Sequence, residues 1–253
     1  MLYKLLQIII FMQQRYEFKN SRGQSLVGIL HMPEINAENN TQDGVPVAIF
    51  AHGKGSSKDS KKAVRLAEEL PKNGIALFRF DFSGCGESDG LFEDTTITRL
   101  NDDLKSAFNL VRNLENIDRN GVGIIGSSLG GMVSLLALSE HIPAITAVLV
   151  SPATDYKEHH RKLQAQEAMN NEFYIDIWKR DFYDLATTIR CPCLIIHGSI
   201  DDICFLSGSE KLIDRLPQGS VLDVIQGEGH FFKKQENFEN MIEKTVGWLQ
   251  ERL

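Results

Sequence analysis

Short, continuously apolar segments alternate with helix-like segments along most of the chain, and this alternation limits the possible folds more than any other feature. Such apolar runs are typical of strands that are buried on both faces of a parallel sheet. The pattern therefore predicts an α/β fold with a mainly parallel, eight-stranded sheet flanked by helices. The eight predicted strands are residues 16–19, 25–32, 45–51, 75–80, 121–125, 144–150, 193–197 and 221–225.

Helical spacing of apolar residues predicts helices between these strands, and the spacing is clearest over residues 98–114. Residues 154–188 break the alternation, because they contain no strong buried strand. We predict that this segment forms a small helical cap within one domain that spans residues 1–253. The helices are predicted over residues 61–72, 97–114, 129–139, 207–215 and 235–253, and the aromatic residues expected to pack the cap onto the core are Phe173, Tyr174, Trp178, Phe182 and Tyr183.

The beginning of the chain carries an apolar run, residues 5–12, that is too short to span a bilayer. No small-residue cleavage site follows it, so it does not fit a signal peptide well. Met12 directly precedes a strand pattern and is therefore an alternative start, in which case residues 1–11 are not native sequence. A signal peptide or a membrane anchor is the other interpretation.

Net charge and cysteine spacing indicate which partners and cofactors are not expected. The formal net charge of −7 argues against nucleic-acid binding, which needs a basic face. Four cysteines are present without a repeating framework, and Cys191 and Cys193 lack the spacing of a zinc or redox motif. We expect buried, reduced thiols, a cytoplasmic protein without stable membrane insertion, no metal and no organic cofactor. A homodimer is left open.

The segment Gly126-Ser127-Ser128-Leu129-Gly130 fits the pattern G-x-S-x-G, in which a serine stands on a sharp strand-to-helix turn. A predicted strand precedes Ser128 and a predicted helix follows it, which is the context that the pattern requires. The turn exposes the serine oxygen at the carboxyl edge of the sheet. Ser128 is therefore the predicted nucleophile, and Ser127 is expected to be structural.

A serine needs a base to take its proton, and the base needs an acid to orient it. Of the seven histidines, His230 is the predicted base, because it lies on a glycine-lined loop after the last strand. The acid is expected between nucleophile and base in the sequence. Asp201, on the loop after the strand at residues 193–197, is the predicted acid, and Asp202 and Asp155 are alternatives.

Acyl transfer also needs donors for an oxyanion. The backbone amide of Leu129, directly after the predicted nucleophile, is one candidate. The other is the amide of Lys54, on the glycine-rich loop that follows the strand at residues 45–51.

These segments resemble the α/β-hydrolase superfamily, and most of all the bacterial cinnamoyl and feruloyl esterases with their carboxylesterase relatives. The strings that carry the resemblance are HGKGSS, RFDFSGCGESDG, GSSLGG, HGSIDD and GEGHFF. The resemblance implies the α/β-hydrolase fold. It also implies a structural role, in support of the oxyanion loop, for the turn that holds Arg79, Asp81, Gly84, Gly86, Ser88 and Asp89. Lys54 stands where relatives often have an aromatic residue, so we expect a different acyl pocket.

The predicted function is hydrolysis of a small-molecule carboxylic ester through an acyl-enzyme. Two alternatives use the same three side chains, namely thioester hydrolysis and peptide hydrolysis, and fold-level analogy does not separate them. A non-catalytic ligand-binding module that keeps the fold is a third alternative.

Overall fold

The computed structural model describes residues 12–34, 44–155 and 171–253. Its sheet has eight strands in the order β1-β2-β4-β3-β5-β6-β7-β8. Strands β1 and β2 form an antiparallel hairpin at one edge, β2 runs antiparallel to β4, and all the other pairs are parallel. The predicted eight-stranded, mainly parallel sheet is confirmed. The strands are β1 Met12–Lys19, β2 Ser25–Met32, β3 Val45–Ala51, β4 Ala76–Phe80, β5 Ile117–Ser127, β6 Thr146–Val150, β7 Cys193–Gly198 and β8 Val221–Ile225.

Helices connect the parallel strands, and an apolar layer covers each face of the sheet. Among the residues described, no helix is both long enough and apolar enough to cross a membrane. The helices are α1 Lys61–Glu69, α2 Ile97–Arg112, α3 Leu129–Ser139, α4 Asn171–Trp178, α5 Phe182–Ala186, α6 Leu206–Ile213 and α7 Gln235–Gln250. Helices α2 and α3 contribute to one apolar layer, and α1 and α7 contribute to the other.

Helix α1 is shorter than the prediction over residues 61–72, because it ends at Glu69. Pro71 follows in a short 3₁₀ turn that ends at Gly74, whose backbone is left-handed with φ 77°. Proline has no N–H to continue the helical ladder, so the α-helix ends although Leu70 still has a helical backbone. Strand β5 is longer than predicted, since it begins four residues earlier and continues to Ser127.

The predicted cap is described only in part. Residues 156–170 lie outside the described residues, as do residues 1–11, which concern the alternative start at Met12. Helices α4 and α5 cover the second half of the segment, and their Phe173 and Phe182 are buried as expected. Trp178, the last residue of α4, is 50% exposed, so it is not fully packed into the core.

Candidate active site

Ser128 lies on a strained turn between the end of β5 and the first residue of α3. Its φ is +54°, which is unfavourable for a residue with a side chain, and its amide donates a hydrogen bond of 2.9 Å to the carbonyl of Val150 on β6. Gly130 makes the turn possible, since a Cβ there would lie 2.1 Å from the carbonyl oxygen of Ala51. The turn is therefore fixed by backbone packing against both neighbouring strands.

Asp201 lies on the loop that follows β7, and the backbone of that loop fixes its orientation. Its Oδ1 accepts hydrogen bonds from the amides of Ile203 at 3.0 Å and Cys204 at 2.9 Å. Gly198 lets this loop approach the next one, because a Cβ at Gly198 would lie 2.3 Å from the carbonyl oxygen of Glu228. The second carboxylate oxygen, Oδ2, is consequently directed toward the loop after β8.

His230 connects Asp201 with Ser128. Its Nδ1 lies 2.8 Å from Asp201 Oδ2, and its Nε2 lies 3.1 Å from Ser128 Oγ. Both distances are those of hydrogen bonds. The structure thus brings together the three side chains that the sequence predicted as nucleophile, base and acid.

The buried carboxylate of Glu228 holds the loop that carries His230. It accepts hydrogen bonds from the backbone amides of Gly229, Lys233 and Lys234 and from the side-chain amide of Asn237. Burial acts to raise the pKa of Glu228, but these hydrogen bonds outweigh it and lower the pKa below its ordinary value. The loop is therefore tied at both ends to the start of α7.

A second histidine, His197, lies on the other side of Asp201. It is fully buried, and its Nε2 is 3.4 Å from Asp201 Oδ2 and 2.8 Å from the carbonyl oxygen of Cys204. Burial acts to raise the pKa of Asp201, but contacts with His197 and His230 and the amide of Cys204 outweigh it. The pKa of Asp201 is held well below its usual range, so this carboxylate is ionised at neutral pH.

The predicted oxyanion loop lies against the nucleophile. A Cβ at Gly53 would lie 3.4 Å from Ser128 Cβ, and Gly53 and Lys54 line one cavity together with Ser128 and His230. Leu129 directly follows Ser128 as the first residue of α3. Both predicted amide donors therefore belong to segments that adjoin Ser128.

The Arg79–Asp89 turn holds the predicted oxyanion loop through hydrogen bonds to Lys58, as the family resemblance implied. The carboxylate of Asp81 accepts hydrogen bonds from the Lys58 amide at 2.7 Å, the Lys58 ammonium at 2.9 Å and the Glu87 amide at 3.0 Å. Arg79 donates a further hydrogen bond of 2.9 Å to the Lys58 carbonyl. The Asp81 and Lys58 side chains are buried, so they form an ion pair shielded from water.

We expect Asp81→Ala to lower the free energy of unfolding by about 3–5 kcal/mol, because it removes the buried carboxylate that pairs with Lys58 and that accepts from the Lys58 and Glu87 amides. Glu87→Gln is the matched control, since Glu87 also pairs with Lys58 but its side chain is 53% exposed. An exposed partner contributes about 1 kcal/mol or less. Urea denaturation measures both changes, and an equal loss in the two variants would contradict the assignment.

The alternative acids have other surroundings. Asp202 is exposed. Asp155 accepts hydrogen bonds from the hydroxyl groups of Tyr183 and Ser207, and it is not among the contacts of His230. Of the three candidates, only Asp201 contacts His230.

A family model described as "Serine aminopeptidase, S33" matches residues 45–180, which is more than half of the chain. The chain belongs to this family. Its fold is the α/β-hydrolase fold, as the sequence predicted, and members of the family are serine hydrolases.

This hydrolase is similar in sequence to a named mitochondrial protein and in structure to two solved bacterial proteins. It is 26% identical over 230 residues to the mitochondrial palmitoyl-protein thioesterase ABHD10 of Rattus norvegicus, which covers 81% of this chain and 75% of that protein. Among solved structures, it is similar to Est1E from Butyrivibrio proteoclasticus with bound ferulic acid, with a TM-score of 0.82 and 21% identity over 94% of this chain and 98% of that one. The esterase domain of a Rhodothermus marinus protein gives a TM-score of 0.73 and 22% identity over 95% and 99% of the two chains.

Two residues of this hydrolase's site were not predicted from the sequence. His197 lies near the end of β7, and its contact with Asp201 depends on how the loop after β7 folds back. Lys62 contacts Ser127, with its Nζ 3.4 Å from the hydroxyl oxygen. One signal was available for Lys62, because it precedes the buried Leu66 by one helical turn and so lies on the buried side of α1.

Proposed function

We propose that this serine hydrolase cleaves carboxylic esters through an acyl-enzyme, with Ser128 as nucleophile, His230 as general base and Asp201 as the orienting acid. The observation that carries the proposal is the unbroken hydrogen-bond chain from Ser128 Oγ through the imidazole to Asp201. The chain gives the serine a base, and it gives that base a fixed orientation.

The proposed reaction starts from a defined tautomer. The Asp201 carboxylate accepts a hydrogen bond from the Nδ1–H of His230, so Nε2 is free to accept the Ser128 proton. Ser128 Oγ attacks the ester carbonyl, and the amides of Lys54 and Leu129 donate to the resulting oxyanion. His230 then gives the proton to the departing alcohol. A water molecule, deprotonated by His230 in the same way, releases the acid.

Local charge favours an ester over the substrate of an aminopeptidase. An aminopeptidase must hold the positively charged amino terminus of its substrate, which requires acceptor groups near the nucleophile. The cavity beside Ser128 is lined by Lys54, Lys61 and Lys62 and, among the residues that the structure describes, by no Asp or Glu. The positive charges of these lysines would repel the ammonium group of such a substrate.

Thioester hydrolysis is the second candidate. It is favoured by the similarity to palmitoyl-protein thioesterase ABHD10, whose name states that activity. The proposed proton transfers are the same for both substrates, because only the leaving group differs.

The test is a substrate panel run beside covalent labelling. The panel contains p-nitrophenyl esters from acetate to laurate, methyl ferulate, palmitoyl-coenzyme A and leucine p-nitroanilide. We expect the esters to be hydrolysed, and a fluorophosphonate to modify Ser128, as mapped by mass spectrometry of the digest. Turnover of the anilide alone would favour a peptidase, whereas folded protein that neither labels nor hydrolyses any substrate would favour a binding module.

Three further expectations from the sequence remain proposals. They are a small-molecule substrate as the main partner, a cytoplasmic location, and dimerisation left open. All four cysteines are free thiols in the structure, and Cys191 and Cys193 are buried.

A further inference from the structure

A cavity of about 220 Å³ opens beside the proposed nucleophile. Ser128, His230 and Phe231 line it, together with three lysines, namely Lys54, Lys61 and Lys62. The chain as a whole carries a net charge of −7, so this concentration of positive charge is local. A small positive cavity next to a nucleophile is a feature that the proposed ester hydrolysis does not require.

Two of these lysines contact neutral groups around the cavity. The Lys61 ammonium donates to the amide oxygen of Gln235 at 3.1 Å and lies 4.0 Å from the ring centre of Phe238. The Lys62 ammonium donates to the Ser127 hydroxyl at 3.4 Å and lies 5.4 Å from the ring centre of Phe232. Neutral hydroxyl, amide and ring contacts do not neutralise an ammonium charge, so an incoming anion would find two cations to pair with.

Other lysines of the chain are placed differently. Lys58, Lys72, Lys105 and Lys244 each form an ion pair with a carboxylate. Lys61 and Lys62 instead contact neutral groups beside the proposed nucleophile.

Burial strengthens the attraction of the Lys62 ammonium for an anion. Burial lowers the pKa of Lys62 to about 8, although the negative charge of Asp201 acts to raise it. A cation that has lost much of its hydration interacts more strongly with an anion than one at the surface does. Lys61 and Lys62 are also the first two residues of α1, so the positive end of the helix dipole adds to the same field.

We propose that this cavity binds an anionic group, a carboxylate or a phosphate, on the alcohol part of the ester substrate. The inference rests on the proposed function and specifies the class of substrate. The alcohol part is chosen because His230, which protonates the departing alcohol in the proposed reaction, forms part of the cavity wall together with Phe231. The leaving alcohol must come within reach of His230 Nε2, and this cavity adjoins that imidazole.

Matched esters test the inference. Phenyl acetate is compared with 4-acetoxybenzoate and with 4-acetoxyphenyl phosphate, which carry the anion on the leaving phenol, and with monophenyl succinate, which carries it on the acyl group. A hydrogen bond to a charged group contributes about 1.5–3 kcal/mol, which corresponds to roughly 10-fold to 150-fold in kcat/KM. We expect one or both of the phenol-side anions to be preferred over phenyl acetate by about tenfold or more.

Lysine variants test whether Lys61 and Lys62 cause the preference for an anionic leaving group. Lys61→Met and Lys62→Met should each reduce the ratio of the kcat/KM values for the anionic and neutral esters by about tenfold. Lys72→Met is the matched control, because Lys72 lies just beyond the same helix, is exposed and pairs with Glu69. Its ratio should equal that of the wild type.

The failures of the two proposals are distinguishable. Hydrolysis of all the esters without a phenol-side preference, or with a preference only for monophenyl succinate, overturns this inference and leaves the ester hydrolase intact. Hydrolysis of none of them overturns the proposed function. In that case, calorimetric titration with 4-hydroxybenzoate decides the inference: binding that Lys62→Met weakens about tenfold supports it, and no binding overturns it.

Discussion

Ser128→Ala is expected to lower kcat for the preferred ester by about 10⁶-fold, the scale seen when the nucleophile of a serine hydrolase is removed. Alanine keeps the Cβ that packs on Gly53 and removes only the oxygen that lies 3.1 Å from His230 Nε2. The loss should therefore appear in the chemical step. Single-turnover kinetics measure it, and fluorophosphonate labelling should be lost in the same variant.

The matched control is Ser106→Ala. Ser106 lies on α2, and its hydroxyl donates to the carbonyl of Asp102 on the same helix at 2.8 Å. Alanine is a better helix former than serine, so stability should not fall by much. We expect wild-type turnover from Ser106→Ala. A Ser128→Ala protein that retains turnover within tenfold of the wild type would remove Ser128 from the mechanism.

Asp201→Asn is expected to lower kcat by about 10⁴-fold through the wrong tautomer of His230. The amides of Ile203 and Cys204 both donate to Asp201 Oδ1, so an asparagine would keep its carbonyl oxygen on that side. Its NH₂ group would then face Nδ1 of His230 and donate to it. The imidazole proton would move to Nε2, which could no longer accept the proton of Ser128.

Asp202→Asn separates this effect from a general change of charge on the loop. Asp202 is the next residue and is exposed, so its variant should keep kcat within about twofold of the wild type. The pre-steady-state rate of acyl-enzyme formation is the measurement for both variants. Equal losses in the two would argue that the loop responds to net charge and that Asp201 does not select the tautomer.

The strand pattern and the nucleophile turn could be predicted from the sequence because their signals are local. Apolar runs mark the eight strands, and the glycines around Ser128 mark a turn where backbones approach closely. The order of serine, aspartate and histidine along the chain, together with their positions on loops after strands, pointed to Asp201 and His230, although the order alone did not separate Asp201 from Asp202 and Asp155. Local signals failed at the end of α1, where Pro71 outweighed the helical spacing of the preceding residues.

Contacts between segments that are distant along the chain could not be predicted from the sequence pattern. Lys62 and Ser127 are 65 positions apart, and their contact depends on how α1 packs against the end of β5. The approach of His197 to Asp201 depends on the turn that brings Asp201 back over the end of β7. The exposure of Trp178 likewise depends on which side of α4 packs against α2. Sequence spacing gives none of these distances.

The strand order has a consequence for the protein while it is being made. Neighbouring strands lie about 4.8 Å apart, so β8 stands roughly 14 Å from β5, and the loop after β8 must reach back across β7 and β6 to bring His230 to Ser128. In the proposed mechanism, a nascent chain that has emerged only as far as α3 has the nucleophile but lacks its base, His230. If His230 is the base, as proposed, hydrolytic capacity arises only after His230 has left the ribosome and β8 has joined the sheet, and incomplete translation products are then expected to be inert toward the substrate.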